Sequence, residues 1–347
     1  MKKLKTAVSG LGRIGWQFHI PSIVAHDGFE LAAACDPLEE RRKEARETFG
    51  VENAYADFIE MLEAEKPDLV VVCSPTPFHE EQAVCAMERG CDVFLDKPMA
   101  PDLAATDRII EAKKRTGRKL MMYQPHRIAG VQVALREILE SKILGEVYMF
   151  KSRNSAFVFR NDWQAFKKYG GGMLNNFGAH AIDAALYLSG GAAKRVCGHM
   201  YKIASAGDAD DVVKVLIETD NGVTLDIEIN MANALPESES KMTVYGSRGT
   251  AQLVEDESGS YYLAKYFDLK DLPEVILNDV LAAADRKYIN NGPKSYKEQK
   301  FPLKGRDLKY YDFCYDYYAL DKKPFVELSE TREVMRVMHE CRVSAGW

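Results

Sequence analysis

The first third of the chain alternates short apolar runs with longer amphipathic segments. Apolar runs such as VVVC and VFL are continuous, as expected of strands that are covered on both faces. Between the runs, apolar residues recur at helical spacing. Strand, helix and strand repeated in this way predict parallel strands with crossover helices, which form an α/β domain with a doubly wound sheet. The candidate strands read LKTAVSG, FELAAACD, DLVVVCS, CDVFLD and RKLMMYQ.

After about residue 124 the pattern changes to alternation between apolar and polar positions. One helical segment, VQVALREILESK, precedes these runs, and turn signals such as Asp220-Asn221-Gly222 separate them. The alternation predicts a mainly antiparallel sheet, and SETREVMRVMHECRVSA predicts a final helix. We therefore expect an α/β domain over residues 1–123 and an α+β domain over 124–347. The alternating runs are EVYMFKSRN, DVVKVLIETD, GVTLDIEINM, KMTVYGS and TAQLVE.

Composition narrows the class of partner. Of 347 residues, 46% are hydrophobic and 28% are charged, which is an ordinary globular balance, and the formal net charge is −6. No Lys/Arg-rich tract favours nucleic acid or an anionic membrane, and no run approaches the ~18 apolar residues that span a bilayer. Seven scattered cysteines lack the paired spacing of a metal site and fit a reducing compartment. We expect a cytoplasmic protein without a metal that binds a small molecule.

A glycine-rich turn, GLGRIG, joins the first strand to the first helix. Gly10 permits the tight turn, Gly12 lets the backbone approach a pyrophosphate, and Gly15 allows close packing of helix on strand. Asp36 ends the second strand, where a carboxylate can accept hydrogen bonds from both adenosine ribose hydroxyls. These features predict a Rossmann domain that binds a dinucleotide. Its predicted contacts here are Gly10, Gly12, Arg13, Ile14, Gly15 and Asp36.

Asp36 also bears on the choice between NAD and NADP. A carboxylate at this place repels the 2′-phosphate that distinguishes NADP, so NAD is favoured. Arg41 and Arg42 follow closely and could neutralise a phosphate. On the helix PLEERRKEARE, however, we expect them to form i,i+4 pairs with glutamates.

Polar residues follow two further strands of the first domain, where ligands of open α/β sheets bind. The proline-flanked loop Ser74–His79 follows one strand, and Asp96-Lys97-Pro98 follows another. Lys97 could hydrogen-bond a substrate hydroxyl and stabilise the developing alkoxide, although a surface lysine in a turn explains the position equally well. The residues expected to contact the cofactor are Ser74, Pro75, Thr76, His79, Asp96, Lys97 and Pro98.

The segment GGGMLNNFGAHAIDAALY, residues 170–187, places polar residues on one side of a helix. Asn176, His180, Asp183 and Tyr187 form this stripe, whose simplest explanation is a solvated face. The glycine triplet and the low charge of the stripe favour a ligand site instead. His180 is the candidate general base, and Asp183 could orient its imidazole.

These motifs together resemble the glucose-fructose oxidoreductase and inositol dehydrogenase family (Gfo/Idh/MocA). The resemblance rests on GLGRIG, CSPTPFHEEQAVCAMERGCDVFLDKP and GGGMLNNFGAHAID, and it extends to KPFVELSETREVMRVMHECRVSA. It implies a Rossmann domain followed by an α+β domain with a large open sheet, often used in homodimer or homotetramer contacts. It also implies an NAD(P)-dependent oxidoreductase of sugars, inositols and related polyols.

The resemblance also implies roles for individual residues. Lys97 matches the lysine that contacts the reacting hydroxyl, and His180 matches the catalytic histidine, which Asp183 follows. Weaker matches assign substrate contacts to Arg127, Arg160 and Trp163.

One position departs from the family pattern. Where well-known members have an aspartate four residues before the histidine, this chain has Asn176, which can hydrogen-bond a hydroxyl but cannot take a proton. The base role then falls to His180, helped by Lys97. Two alternatives remain: an NAD-dependent glycoside hydrolase, and a dinucleotide-binding protein without catalysis. The residues that select the substrate are expected in loops 153–170 and 230–240.

Overall fold

The N-terminal part of the chain forms a six-stranded sheet in the order β3-β2-β1-β4-β5-β6. The computed structural model describes residues 3–235, 241–257, 259–273, 292–303 and 308–347, so the predicted substrate loop 230–240 lies partly outside the described residues. All neighbouring strands are parallel, which confirms the predicted doubly wound sheet. The strands are β1 (Leu4–Ser9), β2 (Phe29–Cys35), β3 (Ala54–Tyr55), β4 (Leu69–Val72), β5 (Asp92–Leu95) and β6 (Leu120–Met122).

The connecting helices begin and end at residues that favour helix termini. Asp57 and Asp102 each accept a hydrogen bond from the backbone N–H three residues later, and Gly50 and Gly117 end helices at positive φ. A π-helical turn, Gly15–His19, precedes the first α-helix. The helices are α1 (Ile20–Val24), α2 (Glu39–Phe49), α3 (Phe58–Glu65), α4 (His79–Glu88) and α5 (Leu103–Thr116). Of these, α3 is not among the elements predicted from the pattern.

The second sheet has eight strands in the order β14-β13-β12-β11-β7-β10-β9-β8. It is antiparallel apart from the parallel pair β7 and β10. Residues of β10 alternate between buried and half-buried, so one face of the sheet packs on helices while the other is open. This confirms the predicted α+β domain. The strands are β7 (Val147–Ser155), β8 (Ala193–Tyr201), β9 (Val212–Thr219), β10 (Thr224–Asn230), β11 (Met242–Gly246), β12 (Gly249–Asp256), β13 (Gly259–Tyr266) and β14 (Lys297–Pro302).

One helix near the C-terminus returns to the first sheet. The tyrosine-rich helix α8 (Tyr310–Leu320) buries its rings against β5 and β6. The hydroxyl of Tyr310 donates to the carbonyl of Met122 at 2.7 Å, which joins this helix to the edge strand of the first sheet. The polar-apolar pattern does not reveal α8, because tyrosine is apolar over its ring and polar at its tip. The other helices are α6 (Gly130–Ser141), α7 (Ala179–Ser189) and α9 (Leu328–Ala345).

Membrane insertion is a separate question from the sheet architecture. Among the residues that the structure describes, no helix combines the length and the apolar character needed to cross a bilayer.

Candidate active site

A crevice of about 400 Å³ lies where the carboxyl ends of β1, β2, β4 and β5 face residues 162–176 of the second domain. This volume is in the range of a small-molecule site. Of the predicted cofactor contacts, the crevice is lined by Gly10, Gly12, Arg13, Ile14, Asp36, Ser74, Pro75, Thr76, Asp96, Lys97 and Pro98. It is also lined by residues that were not predicted as cofactor contacts, namely Arg41, Cys73, Asp162, Trp163, Gln164, Gly170, Gly172, Asn175 and Asn176.

The glycine-rich turn has the geometry that a dinucleotide requires. Gly10 has a φ of +101°, and a Cβ at Gly15 would lie 2.0 Å from the carbonyl oxygen of Gly10. These two glycines are therefore needed by the turn and by its packing. A Cβ at Gly12 would meet no atom within 4 Å, so the backbone there faces open space in the crevice. The turn fits a pyrophosphate at Gly12, because backbone N–H groups at a helix start bind anions.

Asp36 is 3% exposed and is already held by three donors. Its carboxylate accepts the N–H of Leu11 at 2.9 Å, the N–H of Leu38 at 3.0 Å and the guanidinium of Arg41 at 3.1 Å. The expected i,i+4 pairing with glutamates is therefore wrong for Arg41, whose cation lies in the crevice. Arg42 binds the backbone carbonyl of Asp36 and pairs with a glutamate three residues earlier.

His79 does not line the crevice, contrary to the prediction. Its ring is 1% exposed, with Nδ1 lying 2.9 Å from the carbonyl oxygen of Pro98 and Nε2 lying 2.8 Å from that of Ser74. The histidine thus joins the two loops that follow β4 and β5. Its contribution to the site is to hold these loops together, and burial lowers its pKa.

Lys97 lies at the border between the two domains and is joined to Pro98 by a cis peptide bond. Its Nζ donates to the backbone carbonyl of Asn176 at 2.6 Å. Burial lowers the pKa of Lys97, and the neighbouring Asp96 opposes that shift. Burial in turn raises the pKa of Asp96 to about 6. The ammonium group of Lys97 therefore lies near the carboxylate of Asp96. Its hydrogen bond to the carbonyl of Asn176 orients it toward the helical turn that carries Asn176.

His180 is 8% exposed on α7, four residues after Asn176. Burial holds its pKa well below the usual value, and the nearby Lys97 and His126 lower it further. His180 is therefore a neutral imidazole at neutral pH. The structure thus brings Lys97, Asn176 and His180 together, which the sequence pattern predicts.

The start of this helix depends on residues that the pattern did not single out. The segment Leu174–Gly178 is π-helical, a form common at functional sites. The carboxylate of Asp210 accepts the N–H of Leu174 at 2.8 Å, and a Cβ at Gly172 would lie 2.0 Å from that carboxylate. Arg342 donates to the side-chain oxygen of Asn175. Asp210 and Arg342 are far away in the chain, and no local signal identifies them.

Asp183 and Arg127 bind each other, which corrects their predicted roles. Both oxygens of Asp183 accept from Arg127, at 2.9 and 2.7 Å, and Glu330 accepts from the same guanidinium at 2.8 Å. Asp183 and Arg127 are each 2% exposed. Asp183 therefore does not orient His180, Arg127 is not available to a substrate in this arrangement, and the stripe at His180 and Asp183 is not a solvated face.

A second, smaller cavity of about 90 Å³ continues from the crevice and shares Gln164, Gly172 and Asn176 with it. Its lining combines apolar and polar groups. Of the two predicted substrate contacts in residues 160–163, Arg160 lines the smaller cavity, where it is paired with Asp162 at 2.9 Å, and Trp163 lines the crevice. The remaining lining residues are Val158, Met173, Ser205, Asp210, Asp211 and Met231.

Two family models match the chain. Residues 4–124 match the model described as "Oxidoreductase family, NAD-binding Rossmann fold", and residues 133–252 match that of the GFO/IDH/MocA C-terminal domain. The two matched segments coincide with the parallel sheet and with most of the second sheet.

Two curated relatives and one solved structure illustrate the similarity. The D-glucoside 3-dehydrogenase of Escherichia coli K12 is 32% identical over 203 residues, which are 57% of this chain and 58% of that enzyme. The myo-inositol 2-dehydrogenase of Thermotoga maritima is 29% identical over 300 residues, which are 79% of this chain and 88% of that enzyme. An NAD-binding protein from Listeria innocua superposes with a TM-score of 0.84 at 23% identity, covering 99% of this chain and 95% of the other. This last match concerns the fold alone.

Proposed function

The chain belongs to the Gfo/Idh/MocA oxidoreductase family, and from this membership we propose that it transfers a hydride between NAD and a sugar, inositol or related polyol. The reacting group is a secondary alcohol in one direction and a carbonyl in the other. The observation that carries the proposal is that Lys97 and Asn176 line the crevice and that His180, one helical turn after Asn176, lies close enough to Lys97 for the ammonium group to lower its pKa. A fixed cation and a neutral imidazole are the groups that alcohol oxidation requires.

The residues of the N-terminal side would hold the cofactor. The N–H groups around Gly12 would bind the pyrophosphate, and Asp36 would accept hydrogen bonds from the adenosine ribose, which favours NAD over NADP; both residues line the crevice. Trp163 and Thr76 line the same crevice. When bound, the nicotinamide supplies the hydride acceptor, which no protein side chain can provide.

The protein residues handle the substrate proton. Lys97 donates a hydrogen bond to the reacting oxygen and stabilises its negative charge as the C–H bond breaks. His180 accepts the hydroxyl proton, and in the reverse direction the imidazolium returns it to the carbonyl oxygen. Asn176 can hydrogen-bond a neighbouring hydroxyl of the substrate but takes no proton.

Substrate class, assembly and location are further parts of the proposal. The E. coli and Thermotoga relatives carry the names of a glucoside and an inositol dehydrogenase, and the polar and apolar groups of the second cavity suit a polyol ring. The open face of the second sheet is a candidate surface for a homodimer or homotetramer. All seven cysteines are free and five of them are buried, which supports a cytoplasmic location.

The test is turnover with NAD over a panel of inositols, aldoses, glucosides and sugar acids, followed by nicotinamide absorbance. We expect wild-type turnover with at least one polyol, and a loss of about 10²- to 10⁴-fold for His180→Ala. Release of sugar without net change in absorbance would identify a glycoside hydrolase instead. Thermal stabilisation by NAD without turnover on any compound would identify a binding protein without catalysis.

A further inference from the structure

The imidazole of His126 lies flat on that of His180. The ring centroids are 3.9 Å apart and the planes differ by 11°, which is a stacked pair. Phe177 packs edge-on against both imidazoles, with its ring centroid 5.7 Å from that of His126 and 6.2 Å from that of His180. The hydride-transfer scheme above assigns no task to His126, which is half-buried while His180 is nearly inaccessible.

The stack is held in register by a neighbouring ion pair. His126 and Arg127 are consecutive in the turn before α6, and His180 and Asp183 lie about one helical turn apart on α7. Arg127 binds Asp183 through two hydrogen bonds, and this bidentate geometry fixes the turn against the helix. With that contact made, the ring of His126 is brought over His180.

The stack matters because, among the described residues, no hydrogen bond fixes the buried Nδ1 of the His180 ring. Without such a hydrogen bond, the ring contacts with His126 and Phe177 contribute to the orientation of the imidazole. A general base must lie within hydrogen-bond reach of its proton, so an error in ring orientation lowers the rate directly.

We propose that His126 is a positioning residue for His180: its ring orients the imidazole and keeps water away from one face. The proposal rests on the proposed function for the role of His180 as a base, but the ring contact itself can be tested without substrate. The arrangement requires a flat side chain at position 126. It does not require that this side chain be able to gain or lose a proton.

Further charged groups lie on the elements around His180, and of these only Lys97 shifts its pKa. Lys97 approaches from the loop after β5 and opposes protonation, whereas Asp183 on the same helix is paired with Arg127, and Glu330 on α9 binds that arginine. These groups remain when His126 is replaced. Truncation of the ring then changes mainly the hydration of His180, which raises its pKa toward the ordinary value because burial is the main cause of the depression.

The experiment compares His126→Ala, His126→Leu and His126→Phe in the full chain. Titration of the histidine Cε1–H resonances, assigned with His180→Gln, reports the protonation of His180 without substrate. We expect protonation of His180 at a higher pH in the alanine variant and near the wild-type pH in the phenylalanine variant. The leucine variant fills the volume without a flat ring, and it still reports the stack if the alanine variant folds poorly.

Turnover gives the second readout. We expect His126→Ala to lower kcat by about 10- to 100-fold with an unchanged KM for NAD, and His126→Phe to restore most of it. An unchanged His180 titration in the alanine variant, or an unchanged kcat in the leucine variant, would overturn the proposal. If the titration shifts while wild type oxidises no polyol, the positioning contact stands and the proposed function fails.

Discussion

The two sides of the crevice are built from different groups. The N-terminal side consists largely of backbone and short turns after β1, β4 and β5, and its shape depends on positions such as Gly10 and Gly15 that exclude a Cβ. The opposite side consists of residues 162–176, which end in the π-helical turn that leads into α7. These are held by residues distant in the chain, including Asp210, Arg342 and Arg127.

This difference separates two kinds of substitution. A change in the glycine-rich turn acts locally, on backbone conformation or on the approach of an anion. A change around His180 acts through a network of buried charges and rings, so its effect appears first in stability or in the geometry of the base. Variants on the N-terminal side of the crevice therefore test cofactor binding, and variants on the opposite side test the positioning of His180.

The largest expected effect is the loss of stability when the buried ion pair near the opposite side of the crevice is broken. Arg127→Met leaves the carboxylate of Asp183 buried and unpaired, which costs about 3–5 kcal/mol in the free energy of unfolding. The double variant with Asp183→Leu should recover much of that loss. Urea unfolding measures all three proteins. A matched control is Arg332→Met, whose pair with Asp107 is 44% and 46% exposed and should contribute no more than about 1 kcal/mol.

The next effect concerns the point where the two sides meet. Lys97→Met removes the cation that faces the reacting oxygen and should lower kcat/KM for the polyol by about 10²- to 10³-fold. Binding of NAD should change little, because Gly12 and Asp36 would provide most of its contacts. Steady-state kinetics and NAD-dependent thermal shifts measure the two quantities. Near wild-type turnover of this variant would remove Lys97 from the mechanism.

Two glycine variants on the N-terminal side then distinguish an effect on backbone conformation from an effect on NAD binding. Gly10→Ala places a Cβ 2.6 Å from the carbonyl oxygen of Cys73 at a φ of +101°, which should cost about 1–3 kcal/mol of stability. Gly12→Ala meets no atom and should leave unfolding unchanged, while it weakens NAD binding about 10-fold or more, since the methyl group enters the pyrophosphate position. Equal NAD affinity of Gly12→Ala and wild type would place the dinucleotide elsewhere.

The pH dependence of turnover tests the protonation state of His180, near the opposite side of the crevice. His180 must be neutral to accept a proton, and burial, Lys97 and His126 hold its pKa below the ordinary 6.5. The base form therefore persists as the pH falls below 6.5, and kcat/KM for oxidation is lost only when the pH falls through the lowered pKa. Rates at saturating NAD across the acidic range measure this limb. A limb at or above 6.5 would contradict the buried, neutral imidazole.

The smallest expected effect is on the preference between NAD and NADP, when Arg41 on the N-terminal side is replaced. Its guanidinium is 44% exposed, pairs with Asp36 and lines the crevice, so it is a candidate partner for a 2′-phosphate. Arg41→Ala should increase the preference for NAD over NADP by about threefold to tenfold, mainly by impairing NADP. The ratio of kcat/KM for the two cofactors measures it. A preference that moves toward NADP would show that Arg41 acts only by neutralising Asp36.

The sequence was informative wherever the structure depends on local pattern. Both sheets, the glycine-rich turn and the convergence of Lys97, Asn176 and His180 follow from strand and helix periodicity together with the resemblance. It was misleading where a side chain has two equally good local interpretations. The helix pattern predicts glutamate partners for Arg41, and the spacing of Asp183 suggests an orienter for His180, but the nearest group in space differs from the nearest in sequence.

By itself, the sequence determined the parallel character of the first sheet, the mainly antiparallel character of the second sheet, the glycine-rich turn after β1 and the candidate residues of the site. Only the tertiary structure decided which charges pair, that His79 joins two loops and that His126 covers His180. The physical reason is that periodicity and backbone conformation are set by neighbours within a few residues. Partners of buried charges and rings are set instead by packing between segments more than fifty residues apart, as for Arg127 with Asp183 and His126 with His180.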